Sequence, residues 1–280
     1  INGVQSWNDR LINIHADYFT MDGFTIKNHD GVAIRGYDSR GSIFKNLVLQ
    51  NNRYHQFANS IIQNCLFIEN YGTLNVIGDD PNNQYVNLFH NVTIAGNKPG
   101  FNFQIQHQLG GWNGQDPIQP WDVFIVNSIY HGENASFRIS GDDQALSRLF
   151  IYNSNTPNVS IQDNDGNAEV FTNSPVDAPY PFFTDPENRD YSLSSFSPLI
   201  GGGSNTPMTD PNVYPYVDLS FDNPLFDIVG NSRPNPPGTN IDLGAYESSY
   251  GDPQYNPNKY VSVDGSNSNL GILTNPWKDI

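Results

Sequence analysis

The first 170 residues alternate between apolar and polar side chains in short runs that end at asparagine. Six runs follow the order apolar, any, apolar, any, Asn, although Gly96 takes the asparagine position in one of them. The alternation has the period of two of a β-strand, and asparagine suits the following turn because it tolerates left-handed backbone. The runs occupy residues 24–28, 47–51, 66–70, 92–96, 123–127 and 149–153.

A second alternating strand follows most of these asparagines. Strand, asparagine turn, strand and looser loop make one coil of a parallel β-solenoid, in which each coil buries its apolar face against its neighbours. Asparagine side chains of successive coils would also bond to one another along the axis. The second apolar residue of each run is the predicted inward anchor: Ile26, Leu49, Ile68, Ile94, Ile125 and Ile151.

An antiparallel sandwich is the alternative fold, since it also consists of short strands joined by turns. Sandwich strands lack a fixed signature at one place in every repeat, so the pattern favours the solenoid. The composition agrees with an all-β fold, because Asn, Gly, Ser, Thr and aromatic residues are abundant whereas strong helix formers are scarce.

The charge and cysteine content exclude several classes of protein. With 29 acidic residues against 13 basic ones, the net charge of -16 disfavours binding to nucleic acid or to an anionic membrane surface. The sequence contains no run of about 18 apolar residues, so it predicts no membrane span. Cys65 is the single cysteine, so no internal disulfide forms, and we expect it at the surface or in a turn without a catalytic partner.

The repeats resemble the coils of secreted right-handed parallel β-helix proteins, a fold shared by pectate lyases, alginate lyases and many adhesins. The phrase Met-Asp-Gly-Phe-Thr-Ile-Lys-Asn at residues 21–28 is typical of that family, and the resemblance covers roughly residues 11–170. Three later segments look like the C-terminal closing segment of bacterial β-helix proteins, which are often surface-anchored or exported, many of them from Bacteroidetes. They lie at residues 191–200, 230–233 and 242–247.

The resemblance implies a right-handed parallel β-helix with an irregular C-terminal closing segment. We expect residues 1–248 to form this unit, with the closing segment starting at about residue 175. Three glycines at 201–203 depart from the family pattern, where an acid and a small residue are commoner. Residues 249–258 are a predicted linker, and residues 259–280 resemble the first strand of a following β-helix domain. The chain is therefore expected to be part of a longer protein with further domains.

Basic residues near the start of the solenoid are candidates for chemistry on an acidic polysaccharide. Lyases of the resembled fold use a Lys or Arg base in a groove along one sheet, often with Ca²⁺ neutralising the uronate. Lys27, Arg35 and Arg53 are the catalytic candidates. The alternative is an ordinary solvated surface with occasional ion pairs.

The longest insertion between coils, residues 98–121, is the predicted glycan-binding loop. Loops that project from a solenoid carry binding, and aromatic rings beside amides suit sugar rings. The alternative role of the tryptophans is to cap the core. The candidate glycan-binding residues are His107, Trp112, Gln115 and Trp121.

A short oxygen-rich loop at residues 163–169 is a candidate calcium site. Asp163, Asp165 and Glu169 supply carboxylates of the kind that Ca²⁺ prefers, although Asp-Gly turns explain the loop equally well. Calcium is the one cofactor that the sequence suggests.

Two functions remain open. The favoured one is an extracellular or cell-surface segment that acts as an adhesin, a stalk or a glycan-binding module, because no catalytic set is recognisable. The alternative is a polysaccharide lyase or epimerase acting on an alginate- or pectin-like polymer, which rests on analogy of fold. Both place the protein outside the cell, with a polysaccharide or cell-surface glycan as partner.

Overall fold

The protein is a right-handed parallel β-helix in a computed structural model, so the predicted solenoid is confirmed. Successive strands of the solenoid lie in three parallel sheets in rotation, so that each strand pairs with the strand three places later until the third sheet ends. Beyond that point, the last strand of each remaining sheet pairs with the strand two places earlier. The structure describes residues 9–36, 40–78, 87–107, 121–132, 135–140, 147–156, 160–163, 168–205 and 222–254.

Within the described residues, sheets A and B have seven strands each, and sheet C has five. Sheet A contains β1 (Arg10–Asn13), β4 (Val32–Gly36), β7 (Tyr54–Ala58), β10 (Thr73–Gly78), β13 (Asn102–His107), β16 (Ser136–Ser140) and β18 (Ser160–Asp163). Sheet B contains β2 (Thr20–Asp22), β5 (Ser42–Lys45), β8 (Ser60–Gln63), β11 (Asn87–His90), β14 (Trp121–Val126), β17 (Ser147–Tyr152) and β19 (Ala168–Asn173). Sheet C contains β3 (Thr25–Lys27), β6 (Val48–Gln50), β9 (Leu66–Ile68), β12 (Thr93–Ala95) and β15 (Ile129–Tyr130).

The inward side chains form stacked rows, as expected for a solenoid. Phe103 and Phe137 pair in register in sheet A, and their ring centroids are 5.2 Å apart. Across the core, the ring of Phe44 in sheet B meets that of Phe57 in sheet A edge-on, with centroids 4.8 Å apart. Cys65 lies in the turn that joins β8 to β9, which was one of its two expected positions, but it is fully buried in this core, so the surface position is wrong. Burial raises the pKa of its thiol to about 12, which keeps it protonated.

Asparagine turns follow both sheet B and sheet C, so the asparagine signature marks two corners of the coil. Asn28 and Asn51 end strands of sheet C, whereas Asn64 ends a strand of sheet B, and all three have left-handed backbone. The predicted bonding along the axis is present, because Asn51 Nδ2 donates to Asn28 Oδ1 at 2.8 Å and Asn64 Nδ2 donates to Asn46 Oδ1 at 3.3 Å.

The anchor predicted at Ile68 is wrong by one residue. Phe67 is the residue in register with Leu49 and Ile94, and it faces the interior. Leu66 and Ile68 point outwards, because neighbours on a strand face opposite sides. They are nevertheless buried, since the C-terminal part of the chain covers sheet C.

The covering part is the closing segment, defined here as described residues 174–205 and 222–254. It begins with an antiparallel hairpin of β20 (Phe183–Asp185) and β21 (Asp190–Leu193), joined by a 3₁₀ turn at Pro186–Asn188. Its apolar side chains pack on the outward residues of sheet C. Among the described residues, no helix has the length and apolarity that crossing a membrane would require.

A buried ionic cluster holds the closing segment together. The guanidinium of Arg233 donates to the carbonyl oxygens of Asp242 and Gly244 at 3.1 and 3.2 Å, and lies 3.3 Å from Glu247 Oε2. Glu247 also accepts hydrogen bonds from the backbone of Asn235 and Asp242. Burial raises the pKa of Glu247 to about 7, although the charge of Arg233 acts in the opposite direction.

Candidate functional site

The outer face of sheet A carries one continuous row of polar side chains. Each member lies in register with the next across seven strands, without an acidic residue in the row. Parallel strands are about 4.8 Å apart, so the row extends for roughly 29 Å along the axis. This polar row consists of Asn13, Arg35, Gln56, Asn75, Gln104, Arg138 and Gln162.

The period of two explains why these seven residues share a face. In β10, Leu74 and Val76 are buried in the core, and Asn75 between them points outwards. Every member of the polar row is at least partly accessible to solvent. The row therefore presents amide groups, which donate to and accept from hydroxyl groups, and guanidinium groups, which donate to them.

A shallow depression lies at the middle of the polar row. It has a volume of about 170 Å³, and Tyr54 and Thr73 flank the amides of Gln56, Asn75 and Gln104 there. Closed ligand pockets usually measure roughly 300–1,000 Å³, so this depression suits one ring of a longer ligand lying on the surface.

The edge of the polar row carries an ion pair and two aromatic side chains. The guanidinium of Arg53 lies 4.9 Å from the centroid of the Tyr54 ring and 3.9 Å from Asp30 Oδ1. The hydroxyl of Tyr71 donates to the same Asp30 oxygen at 2.9 Å. Burial and the Asp30 carboxylate raise the pKa of Tyr71 to about 12, so this phenol remains a donor.

Sheet A differs from the other two outer faces. Among the residues of its seven strands, Asp163 in the last strand is the single acid. On sheet B the rings of Phe124 and Phe150 stack at 4.7 Å, and Phe150 stacks on Phe171 at 4.8 Å, so that face is apolar there. Sheet C is covered by the closing segment. Sheet A is therefore the described face best suited to a hydroxyl-rich ligand.

The three basic candidates do not converge. Arg35 belongs to the polar row, where its Nη1 donates to Asn13 Oδ1 at 3.4 Å, and Arg53 precedes β7 on the same sheet. Lys27 is exposed in β3 of sheet C, a different face of the solenoid. A base shared by all three in one groove is therefore not formed.

The predicted glycan-binding loop lies mostly outside the described residues. His107 ends β13 and Trp121 begins β14, which places both at the ends of core strands. Trp112 and Gln115 lie outside the described part of the chain. A binding role for these four residues stays a prediction.

The calcium candidates are placed only in part. Asp163 ends β18 in sheet A, where its Oδ2 accepts a hydrogen bond from the backbone of Ala168 at 3.1 Å. Glu169 lies in β19 of sheet B, in register with Arg148. Asp165 is outside the described residues. Within the described ranges, no three His, Cys, Asp or Glu side chains come together as metal ligands. Calcium binding at this loop stays a prediction.

The polar row as a whole was not predicted, although a signal for it was present in the sequence. Several strands of sheet A have one polar residue between two core residues, as in Phe103-Gln104-Ile105 and Phe137-Arg138-Ile139. Of the row, Arg35 entered the prediction as a catalytic candidate, and the other six members did not. An Arg, Asn or Gln at the same place in successive coils was the available signal.

Comparison of the chain with protein-family models, with curated proteins and with solved structures found no match.

Proposed function

We propose that this protein binds an extended glycan along the polar row on the outer face of sheet A. The unbroken register of Arg35, Gln56, Asn75, Gln104 and Arg138 is the observation that supports it most. A ladder of donors and acceptors repeated at strand spacing matches a linear polymer that repeats its hydroxyl groups. Tyr54 at the central depression adds a ring on which a sugar face can pack.

The charge of the polar row favours a glycan with acidic substituents. Arg35, Arg138 and nearby Arg53 bring three guanidinium groups to one face of a strongly acidic chain. Guanidinium groups bind carboxylate or sulfate in a bidentate geometry. We expect an acidic polysaccharide to bind more tightly than a neutral one of the same length, and added salt to reduce that difference.

The proposed role is extracellular and non-catalytic. A polysaccharide ligand agrees with the secreted location that the sequence resemblance implies. The lyase or epimerase alternative would use Arg35 or Arg53 on the same face, and it requires turnover of the bound polymer. An assay for unsaturated uronate and for new reducing ends, with calcium and with chelator, distinguishes this catalytic alternative from binding alone. We expect neither product to form.

Replacement of amides in the polar row tests the binding site. Gln56→Ala together with Gln104→Ala removes two central amides, and we expect the affinity for an acidic oligosaccharide to fall by about tenfold, measured by calorimetry. Gln63→Ala is the matched control, because Gln63 ends a core strand of sheet B with similar exposure. We also expect affinity to rise with oligosaccharide length until the ligand spans the row.

An equal loss of oligosaccharide affinity in the Gln56→Ala/Gln104→Ala variant and in Gln63→Ala would contradict binding at the polar row. A failure of every acidic and neutral oligosaccharide to bind would contradict the proposed function as a whole. Circular dichroism of each variant separates lost binding from lost fold.

A further inference from the structure

A cleft in the closing segment lies apart from the polar row. It has a volume of about 370 Å³ and is bounded by the hairpin residue Asp190, by Val229 and by residues 246–250. That volume lies in the range of roughly 300–1,000 Å³ that is usual for small-molecule sites. Because the closing segment covers sheet C, this cleft and sheet A lie on different faces of the protein.

Asp190 brings to this cleft a carboxylate of which one oxygen has no hydrogen-bond partner among the described residues. Its Oδ1 accepts hydrogen bonds from the backbone N–H and the hydroxyl of Ser192, at 3.0 and 2.6 Å. Its Oδ2 accepts none from the described residues, and no described cation pairs with it. A partly buried carboxylate with one open oxygen favours a ligand that donates a hydrogen bond and carries positive charge.

A second acid increases the negative potential beside Asp190. Asp185 is directly opposite it in the β20–β21 hairpin, and both side chains are partly accessible. Like charges at opposed positions of an antiparallel pair destabilise it. A bound cation next to Asp190 would offset this repulsion.

The other walls of the cleft are aromatic and apolar. Tyr246 and Tyr250 supply rings, and Val229, which is 66% exposed, lies at the rim. Burial raises the pKa of Tyr246, and the charges of Asp190 and Asp227 raise it further, so the negative field of Asp190 acts inside the cleft. Aromatic rings beside a carboxylate suit an ammonium group on an apolar stem.

We infer that this cleft binds the side chain of a lysine presented by a partner protein, with its ammonium on Asp190 and its methylene stem against Tyr246 and Tyr250. A metal ion is a poorer occupant, because no group of three metal-ligating side chains occurs within the described ranges. The net charge of -16 also draws basic partners to the chain.

Titration with Nα-acetyl-lysine methylamide tests the site, with nuclear magnetic resonance shifts of Tyr246 and Tyr250 as the readout. We expect saturable shifts at millimolar concentration, and Asp190→Asn should weaken binding by about tenfold while the amide retains the acceptor for Ser192. Asp177→Asn removes the same charge at an exposed position outside the cleft and should leave binding unchanged.

Two further ligands test whether the cleft recognises the ammonium group and whether it prefers a protein side chain. The norleucine analogue has the stem without the charge, and equal binding of it would overturn the ammonium assignment. Tighter binding of glucosamine than of the lysine probe would overturn the assignment to a protein side chain. An unchanged affinity in Asp190→Asn would overturn the site. Gln56→Ala should not affect lysine binding, so this test succeeds or fails independently of the polar row.

Discussion

At the scale of single residues, departures from the repeat mark where the closing segment touches the solenoid. Gly96 replaces the asparagine of its run, and a Cβ atom there would lie only 1.7 Å from the hydroxyl of Tyr191. Two of the glycines at 201–203 are also crowded, in their case by the closing segment itself, because a Cβ on Gly201 would lie 2.4 Å from the carbonyl oxygen of Gly251 and one on Gly203 would lie 2.7 Å from Ile241. These positions lack a side chain because another part of the chain occupies the space.

Gly96→Ala should destabilise the protein more than Gly100→Ala. Both glycines have positive φ, so each substitution has a backbone cost of about 1 kcal/mol. A Cβ on Gly100 meets nothing within 4 Å, whereas one on Gly96 collides with Tyr191, which adds roughly 1–3 kcal/mol. Urea denaturation measures the difference. Equal losses would show that Tyr191 does not pack on Gly96 in solution.

At the scale of elements, the closing segment is a cover for one sheet. It buries Leu66, Ile68 and Ile129 on the outside of sheet C, so that these strands have apolar residues on both faces. Polar contacts fix its position, because the backbone N–H of Ala245 donates to Thr93 Oγ1 at 2.9 Å and that of Gly244 to the carbonyl of Asn127 at 2.8 Å. The Arg233 cluster stabilises the fold of the segment itself.

Arg233→Met should be far more costly than Arg189→Met. The first leaves Glu247 buried without its cation, which costs roughly 3–5 kcal/mol at an alkaline pH where this carboxylate is ionised. The second breaks an exposed pair with Glu69, in which the side chain of Arg189 is 58% exposed, and costs about 1 kcal/mol or less. Chemical denaturation at a pH above the pKa of Glu247 checks the order.

The loss in Arg233→Met should shrink as the pH falls towards 7 from the alkaline side, and change little below 7. Beside Arg233 the pKa of Glu247 is about 7, and losing that cation raises it further, so acidification protonates Glu247 in the variant first and removes the uncompensated charge. Adding Glu247→Gln should restore stability at alkaline pH for the same reason. A pH-independent loss would contradict the ionic origin of the effect.

At the scale of the whole molecule, buried histidines link stability to pH. His55 lies in the core, 3.4 Å from Asn70 Oδ1, and burial lowers its pKa to about 4. His90 is buried beside Asn223, with its pKa likewise lowered to about 4. In the unfolded chain these histidines bind protons near pH 6.5, whereas in the folded protein they stay neutral down to about pH 4. The free energy of unfolding is therefore unaffected by them above pH 6.5 and decreases as the pH falls from 6.5 towards 4.

His55→Gln should flatten this acid dependence. Each buried histidine contributes a loss of about 3 kcal/mol between pH 6.5 and 4, and the variant should lack one such contribution. His15→Gln, at an exposed histidine, is the control and should retain the dependence of the parent. The free energy of unfolding is measured across this pH range for the parent protein and both variants. Parallel pH profiles for all three would contradict the assignment of the acid dependence to His55.

Local pattern determined the strands, the asparagine turns and the solenoid, because alternation with a period of two and left-handed turns depend on neighbours in sequence. It misplaced Ile68 because Leu66-Phe67-Ile68 is apolar throughout, so no alternation selects the inward residue. Only the docked closing segment shows why both faces are apolar there.

The tertiary structure alone decided which polar residues share a surface. Arg35 and Arg138 are more than a hundred positions apart in sequence, and register between coils of unequal length brings them into one row while Lys27 falls on another sheet. The cleft at Asp190 likewise depends on contacts between hairpin and closing loops that are distant in sequence. Sequence spacing does not encode such contacts, because loop length varies freely between coils whereas pairing is set by the stacking of the strands.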